Sequence, residues 1–143
     1  MTIREMLYDC SRRSGSEIRN LAVNSCNDLI TYLENHNVSS DGVVACITDL
    51  FKLFVSADRK TRDGEYALFL LLTGLNQNNF SSDDFYNATN GGASFDFVSK
   101  MKSFIKSLPD DIRFAVGYLG VAIFSADRHI DENEISLLED LIS

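Results

Sequence analysis

Residues 51–72 and 120–141 read FKLFVSADRKTRDGEYALFLLL and GVAIFSADRHIDENEISLLEDL, two copies of one phrase at a constant offset of 69 positions. Seven positions are identical: Ser56/Ser125, Ala57/Ala126, Asp58/Asp127, Arg59/Arg128, Glu65/Glu134, Leu68/Leu137 and Leu72/Leu141. A repeat kept only for packing would preserve apolar positions and let the connecting segment drift. Here the tetrapeptide Ser-Ala-Asp-Arg is intact in both copies, with a Glu seven residues after each Asp. The chain is therefore constrained to build one local shape twice, and the polar identities point to carboxylate chemistry at two equivalent turns.

Each copy has an apolar run, a short polar turn and a second amphipathic run, which predicts a helical hairpin. The same 3.6-residue periodicity holds elsewhere, so the reading is all-α: one domain over residues 1–143 with about seven or eight helices, and hairpins at about 41–75 and 109–143. Thr2 and Glu5 have capping-box spacing and open a short first helix. A second runs from Ser16 to about His36 with Ile18, Leu21, Ala22, Cys26, Leu29, Ile30 and Leu33 on one side. Ser39-Ser40-Asp41 caps a third, lined by Val44, Ile47, Leu50, Phe51 and Phe54. The fourth begins near Arg62, a short fifth at Ser82, and a sixth spans about Ser94 to Ser107 after the Asn90-Gly91-Gly92 break. Pro109 is expected in the first turn of a seventh, with Ile112, Ala115, Val116, Leu119, Ile123 and Phe124 facing inward. The last starts at Asp131 or Glu132. Helices three and seven are apolar on more than one face and belong in the centre.

At 143 residues the chain buries roughly two thirds of its unfolded surface. Its formal charge is -8, and six acidic side chains between Asp127 and Asp140 face only Arg128 there. Such a surface repels phosphate backbones and anionic lipid, which argues against nucleic acid and against direct membrane insertion, and favours cations and basic protein surfaces. Cys10, Cys26 and Cys46 form no C-x-x-C pair and read as reduced thiols used for packing. The early mixed charges of MTIREMLYDCSRR do not fit a signal peptide, and the longest apolar stretch, Phe114 to Phe124, is too short to span a bilayer. A cytoplasmic location is the expectation.

Asp58 and Asp127 fall where an apolar helix ends, against the negative end of its macrodipole, a placement that calls for a positive partner. Glu65 and Glu134 fall in the first turn of the next helix, where a carboxylate is stabilised, and Glu134 has capping-box spacing from Asp131. Two oxygen donors flanking one bend suit a hard cation, Ca²⁺, Mg²⁺ or Mn²⁺, better than Zn²⁺, because no Cys lies at the turns and His129 has no counterpart in the first copy. The loop is no EF-hand, since that needs twelve residues with Gly at the sixth. The competing reading is that Arg59 and Arg128 supply the counter-charge themselves.

At these residues the chain resembles the TerB-like tellurite-resistance proteins, whose signature is an apolar helix ending in Ala-Asp-Gly, an apolar or small residue two later, and a Glu opening the next helix, twice per domain. Ala57-Asp58, Thr61 and Glu65 match one copy; Ala126-Asp127, Ile130 and Glu134 match the other, with Gly120-Val121-Ala122 upstream and Ser94-Phe95-Asp96-Phe97 like the segment between repeats. The resemblance covers roughly residues 40–143. It implies an all-helical domain, a divalent cation held by Asp58, Glu65, Asp127 and Glu134, and a role in tellurite and related stress responses beside a TerC-like integral membrane protein. The chain departs from the pattern in carrying Arg where the family has Gly.

His36 and His129 read as surface residues, and Phe80, Phe85 and Tyr86 as local packing. No phosphate-cradling loop or nucleophile–base pair is present. The favoured expectation is a non-enzymatic, cation-responsive stress protein working through a protein partner. The alternatives are a metal-free helical interaction module with Arg59 and Arg128 as internal counter-charge, and, third, a hydrolase using the paired carboxylates.

Overall fold

The computed structural model describes residues 2–58, 63–89, 94–125 and 130–142, with side chains throughout these except at 55–58 and 63–64. Among the described residues the protein is all-helical, with eight helices and no strand: α1 (Ile3–Ser11), α2 (Gly15–Asn35), α3 (Ser40–Asp58), α4 (Asp63–Thr73), α5 (Ser82–Thr89), α6 (Phe95–Lys106), α7 (Asp110–Ser125) and α8 (Glu132–Ile142). None of them is long and apolar enough to cross a membrane.

Local chemistry sets the helix ends. The backbone N–H of Glu5 donates to Thr2 Oγ1 at 3.1 Å while Thr2 N–H donates to Glu5 Oε1 at 3.3 Å, completing the expected capping box. α2 begins one residue earlier than its periodicity suggests, because Ser14 and Glu17 form a second reciprocal box. Its other end is a Schellman turn: Asn37 adopts φ 64°, its N–H donates to Glu34 O, and Val38 N–H reaches back to Leu33 O at 3.1 Å. Ser39 Oγ accepts the Gly42 N–H and opens α3. Pro109 lies just before α7 rather than inside its first turn, its carbonyl accepting the Arg113 N–H at 2.8 Å.

α7 is the axis. From Ala115 to Phe124 only Tyr118 escapes full burial, and α2 lies along it in the most extensive helix pair, with α1 and α8 also against it. α3 is the second inner helix, touching α2 and α4 to α8. Its buried face starts at Val43 rather than Val44, and continues through Ile47, Leu50, Phe51, Leu53 and Phe54. Under α4 and α5 the core is aromatic: Phe51, Phe69 and Phe85 meet with ring centroids 5.1–5.8 Å apart. Phe80 stacks on Phe69 and offers its carbonyl to the Tyr66 hydroxyl, so the Asn-rich connection is tied to the core.

Two glycines let neighbours close on α7. A β-carbon on Gly117 would meet Ile142 of α8 at 3.1 Å and Met6 of α1 at 3.5 Å. One on Gly120 would run into Leu138 of α8 and lie 3.1 Å from the Phe54 ring of α3. Gly120 and Leu138 occupy the repeat positions of Phe51 and Phe69 in the first copy, a pair that also touches, edge to face at 5.4 Å. Equivalent positions thus make the contact in each hairpin, with different volumes.

Charge pairs fasten α8 from both sides. Arg4 reaches Glu132 at 3.4 Å and Glu139 at 3.5 Å, and Lys102 and Lys106 hold Asp140 at 2.6 and 3.6 Å. Lys102 beside Asp140 keeps that carboxyl below its ordinary range.

Gly120→Ala should lower the unfolding free energy by about 1–3 kcal/mol through overpacking, despite the better helix propensity of Ala. Gly15→Ala, where a β-carbon meets nothing within 4 Å, should be neutral or mildly stabilising. Urea unfolding followed by circular dichroism separates the two.

Candidate functional site

Helix geometry places the two repeated glutamates alike. Glu65 is the third residue of α4 and Glu134 the third of α8, and each is only 2% exposed. A first-turn carboxylate gains from the helix N-terminal field, yet first-turn acids usually stay in solvent. Withdrawing a carboxylate from water costs several kcal/mol unless hydrogen bonds and opposite charge answer it. Burial to the same extent in both copies means that each hairpin meets this cost at the same place.

Part of the answer is visible in the second copy. Glu134 N–H donates to Asp131 Oδ1 at 2.9 Å, and Asp131 N–H donates to Glu134 Oε1 at 3.0 Å, the reciprocal box expected from their spacing. In the first copy Arg62 stands at the place of Asp131. A guanidinium has no acceptor atom, so Glu65 cannot be half of a reciprocal box of that kind.

Asp58 is the last residue of α3, in the helix-terminal place expected of it. Its side chain lies outside the described residues, as do Asp127, Arg59, Arg128 and His129. The structure accordingly positions two of the four expected cation ligands, Glu65 and Glu134. Among the described residues no group of three or more His, Cys, Asp or Glu side chains gathers closely enough to hold a metal ion.

The acidic stretch toward the end of the sequence serves the fold directly. Glu132, Glu139 and Asp140 are drawn to Arg4, Lys102 and Lys106, and Glu134 turns inward. Much of the charge that reads in sequence as a docking face is therefore answered within the molecule. His36, at the end of α2, stacks on Tyr32 with ring centroids 4.2 Å apart and lies 2.8 Å from the Tyr32 carbonyl through Nδ1, a local surface contact.

The thiols are chemically quiet. Burial pushes Cys26 up to about 12, helped by nearby Cys46, and pushes Cys46 up to about 11, helped by Asp49; burial and Asp9 also raise Cys10. All three are free cysteines. A raised folded-state pKa keeps the thiol protonated, and the thiolate is the nucleophile, so none suits nucleophilic catalysis.

What the sequence did not disclose is a cleft of about 1090 Å³ bordered by α1, α2, α4 and α7. Its residues come from four helices and the segments joining them, and although Leu68 and Ser125 belong to the repeat, only the packed fold brings the whole set together.

Asp131→Ala should cost about 1 kcal/mol, the usual loss for a helix cap, seen as a lower urea midpoint. Native protein at pH 8 should react with a thiol reagent far more slowly than urea-unfolded protein. The contribution of the raised thiol pKa values to stability is complete below the unfolded thiol pKa, about 8.5, and is lost as pH climbs toward 11–12. Alkaline titration of the unfolding midpoint of wild type against Cys26→Ala checks that sign.

No family model matches the chain, and no curated protein or solved structure matches it either.

Proposed function

We propose that the protein is a non-enzymatic, cytoplasmic stress-response protein of the TerB type, which binds a divalent cation through Asp58, Glu65, Asp127 and Glu134 and works through a protein partner. The observation that carries this reading is the equal burial of Glu65 and Glu134 at the third position of equivalent helices. Two buried carboxylates call for positive charge, and hard oxygen donors favour Ca²⁺, Mg²⁺ or Mn²⁺ over Zn²⁺. The sequence repeat adds one Asp to each Glu, so each turn carries a pair. A divalent ion there would supply charge neutralisation and tie the end of one helix to the start of the next. The residues would change the protein's shape or rigidity rather than turn over a substrate.

Arg59 and Arg128 are the internal rivals for that role. Each follows its Asp directly in sequence, and a guanidinium satisfies a carboxylate as a metal does, without exchange with solution. In that event the protein is a metal-free interaction module, and the two readings part on ion binding.

Calorimetric titration with Ca²⁺, Mg²⁺ and Mn²⁺ is expected to show binding, and the ion should raise the melting temperature, since a ligand selective for the folded state adds RT ln(1 + [L]/Kd) to its stability. Asp127→Ala with Glu134→Ala should abolish that rise. Arg59→Gly with Arg128→Gly should tighten ion binding by removing the competitor; a wild-type thermal response in the Asp127/Glu134 double variant overturns the assignment of the site.

The partner reading rests on the net charge of -8 and on the resemblance, with a cytoplasmic loop of a TerC-like membrane protein as the first candidate. Association steered by charge weakens steeply with salt. Recovery of such a loop by the immobilised protein should fall on raising ionic strength and should depend on the divalent ion.

A further inference from the structure

We propose that the cleft between α1, α2, α4 and α7 is a binding site for a single-chain anionic amphiphile, its aliphatic chain laid along the apolar lining and its head group at Arg19. The cleft measures about 1090 Å³, slightly above the usual range for small-molecule sites. The buried part of its lining is small: Cys10 of α1, Ala22 of α2 and Ala122 of α7. Leu7, Ile18, Leu68 and Ile130 form aliphatic walls. Leu71, 50% exposed, completes one side and is among the few large hydrophobic side chains left open to solvent.

Charge selects the class of ligand. Of the fifteen described lining residues none is Asp or Glu, although the chain carries 21 acidic residues in 143. Arg13 and Arg19 are the charged groups on the lining. Arg13 is already held by Asp9 at 3.1 Å, whereas Arg19 has no ion-pair partner among the described residues. Among the described lining residues this strongly acidic protein thus sets no carboxylate, and it sets one guanidinium without an ion-pair partner. Arginine pairs with carboxylate and phosphate alike, so the shared chemistry is an anionic head on an aliphatic chain. No aromatic side chain is among the described lining residues, which leaves a nucleobase nothing there to stack on and favours a saturated chain over a nucleotide.

The full-length chain is titrated calorimetrically with dodecanoate, dodecyl phosphate, dodecanol and dodecyltrimethylammonium, each below its self-association concentration. At least one of the two anions should bind one to one, and the alcohol and the ammonium about tenfold more weakly or not at all, a difference of about 1.4 kcal/mol. A preference for dodecanoate assigns a carboxylate head and a preference for the phosphate ester a phosphate head; either supports the site. Arg19→Ala, at an exposed helical position, should weaken the anions about tenfold while leaving the melting temperature near wild type. Ala67→Trp, an exposed residue of α4 on the cleft wall, should block every ligand. Binding of neither anion, equal binding of the ammonium, or unchanged anion affinity in the Arg19→Ala protein overturns the proposal.

Discussion

The close approach of α1, α3 and α8 to α7 rests on two missing side chains. At Gly117 and Gly120 the backbone of α7 is bare: Leu138 lies where a β-carbon on Gly120 would stand, the Phe54 ring and Ile142 crowd within 3.1 Å of such atoms, and Met6 is at contact distance. Dispersion and hydrophobic burial both depend on contact at van der Waals distance, so these notches set the separation of four helices at once. Larger residues there would push α8 outward, and with it the first turn that buries Glu134. The spacing of the core and the burial of the candidate site are one constraint seen from two sides.

The two repeat copies make a contact at equivalent positions with different volumes. In the first, Phe51 and Phe69 meet as rings and Phe85 and Phe80 extend the aromatic layer. In the second, a glycine receives a leucine. The glutamate that opens the outer helix is buried to the same degree beside both. The apolar layer has been free to vary while the carboxylate has kept its place, which is the pattern expected where the polar group answers to something other than packing.

The helices were legible because their ends carry local chemistry. Thr2 with Glu5 and Asp131 with Glu134 announce their capping boxes by spacing alone, and Ser14 with Glu17 carries the same signal two residues ahead of Ser16, where the apolar periodicity of α2 begins. The all-α class and the inner places of α3 and α7 follow from the width of their apolar faces. The depth of Glu65 and Glu134 was not legible, since sequence position puts a residue in a first turn without saying what the rest of the chain lays over it. Nor was the fate of the acidic stretch: Lys102 and Lys106 sit one helical turn apart and meet Asp140 only after α6 and α8 dock. Residues 59–62 and 126–129, which include Arg59, Asp127 and Arg128, fall outside the described residues.

The grip of Arg4 on α8 ties together residues 128 positions apart. Closing a loop of that length costs entropy that shorter connections avoid, and contacts so distant in sequence form late. α1 therefore gains its ion pairs to α8 only once α8 is seated, whereas its buried face also packs against α7. Until then its nine residues are below the length at which an isolated helix holds in water. An event that lifts α8 removes the Arg4 ion pairs and leaves α1 held by its packing against α7.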